Sequence, residues 1–107
     1  MALKTLWTNS TGTFTAGTQK ISLDLSKYNG IIIQFIGKVG WTSKWHFYIP
    51  KNTNLKCWLS VEQDSTINGG CWWRTVTCDE NFVNIGYALD DTSLDKTNVI
   101  PTKIYGI

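Results

Sequence analysis

The stretch that decides the fold is Gly69-Gly70-Cys71-Trp72-Trp73-Arg74-Thr75-Val76-Thr77-Cys78. It holds two of the three cysteines, two of the six tryptophans and the only arginine of the chain. It begins just after Asn68, and an Asn-Gly step favours the tight turn of a β-hairpin. Its aromatic and β-branched residues are typical of a strand. We therefore predict a hairpin in which Cys71–Cys78 is the second arm and Leu55–Gln63 is the first.

Side-chain alternation gives this hairpin two faces. A two-residue loop would put Leu59 opposite Cys78, whereas a slip of two residues would put Cys57 there. Both registers leave every residue on the same face, because side chains alternate with a period of two. One face is apolar apart from an arginine: Cys57, Leu59, Val61, Trp72, Arg74, Val76 and Cys78. The other is polar apart from two tryptophans and a cysteine: Lys56, Trp58, Ser60, Cys71, Trp73, Thr75 and Thr77.

The polar face suggests a ligand site. Trp58 and Trp73 could form a stacking platform for the apolar faces of sugar rings, with hydroxyl side chains bonding the sugar hydroxyls. Alternatively, a second sheet or a neighbouring subunit covers this face, since tryptophan is also enriched at protein interfaces. The candidate ligand-binding residues are Trp58, Trp73, Thr75, Tyr48, His46 and Trp41.

Outside the hairpin the chain is also typical of a β protein. No window of 11 or more residues keeps a helical apolar period, and Thr, Asn, Gly and Ser recur between β-branched and aromatic residues. Predicted strands are Leu3–Thr8, Gln19–Leu25, Ile31–Ile36, Lys44–Ile49, Leu55–Gln63, Cys71–Cys78, Phe82–Leu89 and Val99–Tyr105, with a short piece around Phe14. The fold predicted for residues 1–107 is a single-domain antiparallel β-sandwich, jelly-roll-like, of roughly eight short strands.

Several strands carry more specific expectations. Ile31–Ile36 is apolar on both faces, which predicts a central strand covered on both sides. Asn29-Gly30, just before it, predicts a turn with positive φ. In Lys44–Ile49, alternation predicts that Trp45, Phe47 and Ile49 point inward and that His46 and Tyr48 point outward. In Phe82–Leu89, alternation places four apolar residues on one shared face: Val83, Ile85, Tyr87 and Leu89.

Composition and motifs argue against several function classes. A formal net charge of +2 with scattered lysines does not fit a nucleic-acid-binding protein. The longest apolar run, Ile31–Ile36, is far shorter than the roughly 20 residues that span a bilayer. No charged segment followed by an apolar one opens the chain, so we expect no signal peptide and no export. We expect no membrane insertion.

No catalytic, metal or cofactor motif is present in the sequence. The three cysteines include no Cys-x-x-Cys pair, and their spacing with the single His46 matches no zinc pattern. We expect reduced thiols rather than ligands or nucleophiles. The acidic stretch Asp90–Asp95 lacks the EF-hand pattern and its closing glutamate. The sequence therefore predicts a protein that is not an enzyme and holds no metal or cofactor.

Three stretches carry a family resemblance: Leu6-Trp7-Thr8-Asn9, Ile21-Ser22-Leu23-Asp24-Leu25-Ser26-Lys27-Tyr28, and Ile100-Pro101-Thr102-Lys103-Ile104-Tyr105-Gly106-Ile107. Together with the Arg74-Thr75 step, they resemble small proteins, and C-terminal domains of larger ones, encoded in the tail regions of phages and prophages of Firmicutes-type bacteria. The resemblance covers most of the chain and is strongest at its ends. The part from Gly37 to Cys71 corresponds least.

The resemblance implies a tail-associated virion protein that folds in the host cytoplasm and acts outside after lysis. Its expected role is that of a receptor-binding or adhesin-like domain for a bacterial surface glycan. The alternative is a purely structural virion protein, a decoration or baseplate accessory, whose tryptophans lie at subunit contacts. Other virion proteins are the expected partners, and analogy with phage receptor-binding heads predicts a homotrimer.

Overall fold

The computed structural model describes residues 3–37, 44–61, 70–90 and 99–107. In these residues the chain forms β-strands and no helix. The strands are β1 (Lys4–Thr8), β2 (Gln19–Ser22), β3 (Gly30–Ile36), β4 (Lys44–Pro50), β5 (Thr53–Val61), β6 (Gly70–Cys78), β7 (Phe82–Ile85), β8 (Leu89–Asp90) and β9 (Ile100–Gly106). The predicted strand around Phe14 is absent; Phe14 instead meets Trp7 edge to face, with ring centroids 6.2 Å apart.

Two antiparallel sheets make up the sandwich. The first has the strand order β1-β9-β3-β4, and the second has β2-β7-β6-β5, with β8 also pairing with β6. Their inner faces share one apolar core, because each strand alternates between buried and outward residues. The core draws on both sheets: Ile31, Ile33, Phe35, Ile49 and Ile104 from the first, and Ile21, Cys57, Leu59, Trp72, Val76, Val83 and Ile85 from the second. The predicted all-β antiparallel sandwich is confirmed.

Both predicted registers of the hairpin are wrong, whereas its faces are right. Thr53 pairs with Cys78, and Val61 pairs with Gly70, so the hairpin is centred before Asn68. Trp58 lies directly opposite Trp73 in this register, and cross-strand aromatic pairs are among the contacts that stabilise a sheet. The difference from the predicted registers is an even number of residues, which leaves each side chain on its predicted face.

The predicted strand Phe82–Leu89 is interrupted at Gly86. The Gly86 N–H donates to the Thr75 carbonyl at 2.8 Å in the register of the β6–β7 pairing, but beyond it β8 pairs with β6 in a register shifted by one residue. Val83 and Ile85 are fully buried, but Tyr87 is 64% exposed and Leu89 is 41% exposed. The prediction that all four share a face is therefore wrong, because strand alternation does not continue across the break.

Strand β3 is central, as predicted, but the described residues do not cover both of its faces. It lies between β9 and β4, and its inward residues are fully buried. Of its outward residues, Gln34 is buried against His46 and Thr102 of the neighbouring strands. Ile32 and Ile36, by contrast, are half-buried, and no described strand lies over them. Asn29-Gly30 also lacks the predicted positive φ. In the described residues, left-handed backbone occurs at Gly12 (φ 71°) and Asn52 (φ 61°).

Candidate functional site

The outer face of the second sheet carries a stacked pair of tryptophans. Trp58 of β5 and Trp73 of β6 are directly paired, with ring centroids 4.5 Å apart and an interplanar angle of 37°. Trp58 is 42% exposed. Leu89 of β8 pairs with Trp73 on its other side and is also exposed. We call Trp58, Trp73 and Leu89 the tryptophan row.

Alternation along β5 explains why this row faces outward. Cys57 and Leu59, on either side of Trp58, are fully buried in the core. Trp58 must then point away from the core, because adjacent side chains of a strand lie on opposite faces. Trp72 is buried in the same way and leaves Trp73 outward. The two tryptophans are therefore placed by the apolar residues beside them.

Lys56 adds a positive charge to the tryptophan pair. Its Nζ lies 4.1 Å from the ring centroid of Trp58 and 4.5 Å from that of Trp73. Such cation–π contacts hold an exposed ammonium in place while its N–H groups remain able to donate. Thr75, an exposed residue directly opposite Lys56, supplies a hydroxyl. The sequence places Lys56 on this face, two residues before Trp58, but Lys56 was not among the six predicted ligand residues.

A second feature of this face is a polar cavity of about 330 Å³ at the end of the sheet where β5 begins. Four of its residues form one row across the sheet, because Asn54 pairs with Thr77, Thr77 with Asn84, and Asn84 with Lys20. We call the cavity the amide pocket. Its lining residues are Lys20, Asn52, Thr53, Asn54, Thr77, Cys78, Asp79, Phe82 and Asn84.

The amide pocket holds one group of each charge. Lys20 Nζ lies 4.2 Å from the ring centroid of Phe82. Asp79 Oδ1 accepts hydrogen bonds from the backbone N–H groups of Asn81 at 2.8 Å and Phe82 at 2.9 Å. These two backbone donors, with a smaller contribution from the charge of Lys20, lower the pKa of Asp79, so its carboxylate is ionised at neutral pH.

Alternation alone could not identify the amide pocket. Its lining comes from β2, β5, β6, β7 and the turn before β5, which come together only through the strand order and register. The predicted registers would have placed other residues beside Asn54. The local signal was limited to asparagines and threonines, which are equally typical of turns.

The six predicted ligand residues do not form one site. Trp58, Trp73 and Thr75 lie together on the outer face of the second sheet. His46 and Tyr48 point outward as predicted, but from β4 of the first sheet, on the opposite side of the sandwich. The carboxamide Nε2 of Gln34 donates to His46 Nε2 at 2.9 Å, and Tyr48 is 48% exposed. Trp41 lies outside the described residues.

Three features of the described residues concern metal binding, membrane crossing and thiol reactivity. They contain no group of three or more His, Cys, Asp or Glu side chains placed to hold a metal ion. No helix among them has the length and apolar character needed to cross a bilayer. Burial raises the pKa of the Cys57 thiol to about 12 and also raises that of Cys78, which makes both weak nucleophiles at neutral pH.

The three thiols should differ sharply in reactivity. Cys57 and Cys78 are buried, whereas Cys71 is half-buried on the outer face, 3.3 Å from the Ser60 hydroxyl. We expect Cys71 to react first with a water-soluble disulfide reagent in the native protein, with the other two reacting only after unfolding. Cys71→Ser should abolish the fast phase. A fast phase that survives this substitution would contradict the buried placement of Cys57 and Cys78.

The outer face of the second sheet presents stacked indoles, an ammonium and a hydroxyl on β5 and β6, and beside them a carboxamide-lined pocket that extends across all four strands β2, β7, β6 and β5. These groups can hold an uncharged polar molecule that has flat apolar surfaces. Comparison of the chain with protein-family models, with curated proteins and with solved structures gave no match.

Proposed function

We propose that this chain is a glycan-binding domain and that the outer face of its second sheet binds a polysaccharide of a bacterial surface. The observation that supports this most directly is the stacked pair Trp58–Trp73, held on a sheet with Trp58 42% exposed. A β-sheet fixes both rings, so they are ordered before a ligand arrives. Less conformational entropy is then lost on binding.

The surroundings of the pair suit a sugar. The apolar C–H faces of a sugar ring can lie on an indole, while its hydroxyls need donors and acceptors at the rim. Lys56 provides donors beside both rings, and Thr75 provides a hydroxyl on the adjoining strand. Two adjacent outward cross-strand pairs, Trp58 with Trp73 and Lys56 with Thr75, therefore offer the apolar and polar contacts together.

The resemblance of the chain ends to phage tail proteins gives this binding a biological setting. We propose that the protein is a tail-associated virion component that recognises the host through a surface glycan and assembles as a homotrimer with other virion proteins. The ends that carry the resemblance also meet in space, because Trp7 pairs with Ile104 and Thr8 with Lys103 across β1 and β9. They lie in the first sheet, whereas the proposed site is on the second.

Removing one indole should abolish most of the binding. We expect Trp73→Ala to weaken binding to host cell-wall polysaccharides at least about tenfold, which corresponds to about 1.4 kcal/mol. The loss follows from the missing stacking surface and from the loss of a support for Trp58. Binding of the intact oligomer should be measured on a glycan array and then by calorimetry on the polysaccharide identified there.

Tyr48→Ala is the matched control. It removes an aromatic ring that is 48% exposed on the opposite side of the sandwich, so polysaccharide affinity should not change. Loss of binding in this variant alone would move the site to the first sheet. No binding of the native oligomer to any host polysaccharide would reject the proposal.

A structural role is the competing function, and the tryptophan row also favours it. Trp58, Trp73 and Leu89 form a continuous apolar row of the kind found at the centre of subunit interfaces. In that case Trp73→Ala should dissociate the oligomer, as measured by light scattering, without affecting any glycan. An oligomer that keeps its mass while it loses polysaccharide binding supports the glycan-binding function.

A further inference from the structure

We propose that the amide pocket binds a single neutral sugar residue, a terminal or branch residue of the same glycan whose adjoining residues lie on the tryptophan row. This inference rests on the proposed function and adds a second, more selective subsite to it. The pocket is a separate cavity, and neither tryptophan lines it.

The size of the pocket limits what it can hold. Its volume is about 330 Å³, at the lower end of the roughly 300–1,000 Å³ typical of small-molecule sites. One sugar ring fits this volume, whereas a run of several rings would extend beyond it. The pocket is also open on the outer face, so the remainder of a glycan can leave it along the sheet.

The hydrogen-bonding groups of the pocket suit hydroxyls. In the described part of the chain, the side chains of Asn54, Asn84 and Thr77 form no hydrogen bond with other residues, so they are available to a ligand. A carboxamide both donates and accepts, as does a hydroxyl. Neighbouring sugar hydroxyls also do both, and they can satisfy a row of such groups without leaving any of them unpaired.

The charges of the pocket favour a neutral sugar over an anionic one. Lys20 and Asp79 both line the cavity, and their formal charges cancel. Both are held in place, Lys20 over the Phe82 ring and Asp79 by two backbone N–H groups. A carboxylate or phosphate on the ligand would be attracted by Lys20 and repelled by Asp79. A neutral sugar can instead hydrogen-bond to both.

The pocket and the tryptophan row lie along the same strands. Thr77 and Trp73 are four residues apart on β6, which is roughly 13 Å at about 3.3 Å per residue. Thr75 lies between them, opposite Lys56, so outward polar groups line the interval. A short oligosaccharide can therefore place one residue in the pocket and others on the indoles.

The pocket can be tested without knowing the natural glycan. Glucose, galactose, N-acetylglucosamine and glucuronate would each be titrated at millimolar concentration into ¹⁵N-labelled native protein. The side-chain amide signals of Asn54 and Asn84 report the pocket, and the indole signals of Trp58 and Trp73 report the row. We expect at least one neutral sugar to shift the two asparagine signals, and Asn84→Ala to weaken that binding at least about fivefold.

Asn29→Ala is the control, because it makes the same substitution at an exposed asparagine that does not line the pocket. It should leave the binding unchanged.

Absence of asparagine shifts with all three neutral sugars would overturn the inference, as would tighter binding of glucuronate than of every neutral sugar. A host polysaccharide that shifts the indole signals but not the asparagine signals would reject the pocket and leave the proposed function standing. Asparagine shifts with a monosaccharide, without any polysaccharide binding, would reject the proposed function and leave the pocket.

Discussion

Arg74→Met should lower the free energy of unfolding by about 4 kcal/mol. Arg74 is fully buried. Its Nε donates to the Val99 carbonyl at 2.7 Å, and its Nη2 donates to the Thr15 carbonyl at 2.6 Å. Its Nη1 donates to two carbonyls, that of Gly86 at 2.9 Å and that of Gly17 at 3.3 Å. One guanidinium thus supplies donors to four backbone acceptors.

These acceptors belong to three distant parts of the chain: the connection between β1 and β2, the corner after β7, and the residue before β9. Without the guanidinium, the carbonyls would lose their donors, and hydrogen bonds to charged groups contribute about 1.5–3 kcal/mol each. Burial partly offsets this gain. It lowers the pKa of Arg74 to about 10, which still leaves the side chain charged at pH 7. Methionine avoids that desolvation cost, so the net loss is smaller than the sum of four bonds.

Urea unfolding at pH 7 measures the change. Arg74→Lys should lose about 2 kcal/mol, because a single ammonium cannot reach acceptors in several directions as a planar guanidinium does. Lys56→Met is the control: it removes one positive charge from β5 on the exposed outer face and should change stability by less than about 0.5 kcal/mol. If Arg74→Met stays within about 1 kcal/mol of the native protein, desolvation cancels the hydrogen bonds and Arg74 is not a stabilising anchor.

The sequence predicts the face on which Arg74 lies but not its hydrogen-bond partners. Alternation placed it on the apolar face with Trp72 and Val76, and the structure confirms this placement. Its partners could not be predicted, because all four are backbone carbonyls and every residue has one. Which carbonyls converge on a buried cation depends on loop geometry. The side chains of those residues give no sign of it.

In the candidate site, too, the sequence predicts the faces of the residues but not their partners. The outward directions of Trp58 and Trp73 follow from the buried residues beside them. Their direct pairing depends on the register of the hairpin, and the register predicted from a turn at Asn68-Gly69 was wrong. Period-two alternation tolerates an even shift, which is why the faces were right and the partners were wrong.

Alternation also cannot tell one outer face from the other. His46 and Tyr48 were correctly predicted to point outward, but a sandwich has two outer faces, and these residues lie on the opposite one from Trp58. Assigning a strand to a sheet depends on long-range pairing between β3, β4 and β9. No local pattern specifies that pairing.

Gly30→Ala should destabilise the protein by about 3 kcal/mol, because a methyl group has no room at this position. A Cβ built on Gly30 would collide with the Ile49 carbonyl oxygen and would lie 2.8 Å from Pro50 Cα. Both obstacles are backbone atoms of the paired strand β4, so no rotation of a side chain can relieve the clash. The reason for the glycine is therefore the close approach of β4, and no unusual φ is involved.

The expected loss exceeds a simple packing penalty because Gly30 also bonds the chain end. Its N–H donates to the Ile107 carbonyl at 3.3 Å, and its carbonyl accepts from the Ile107 N–H at 3.2 Å. Moving Gly30 away from β4 strains both bonds.

Gly17→Ala is the matched control, because a Cβ there would meet only the Thr15 hydroxyl at 3.6 Å. Thermal unfolding of the two alanine variants should separate them by more than 10 °C, since about 1 kcal/mol shifts the Tm of a domain this size by roughly 4–8 °C. Equal melting temperatures would mean that β4 can move aside at no cost and that the close approach at Gly30 does not constrain the sandwich.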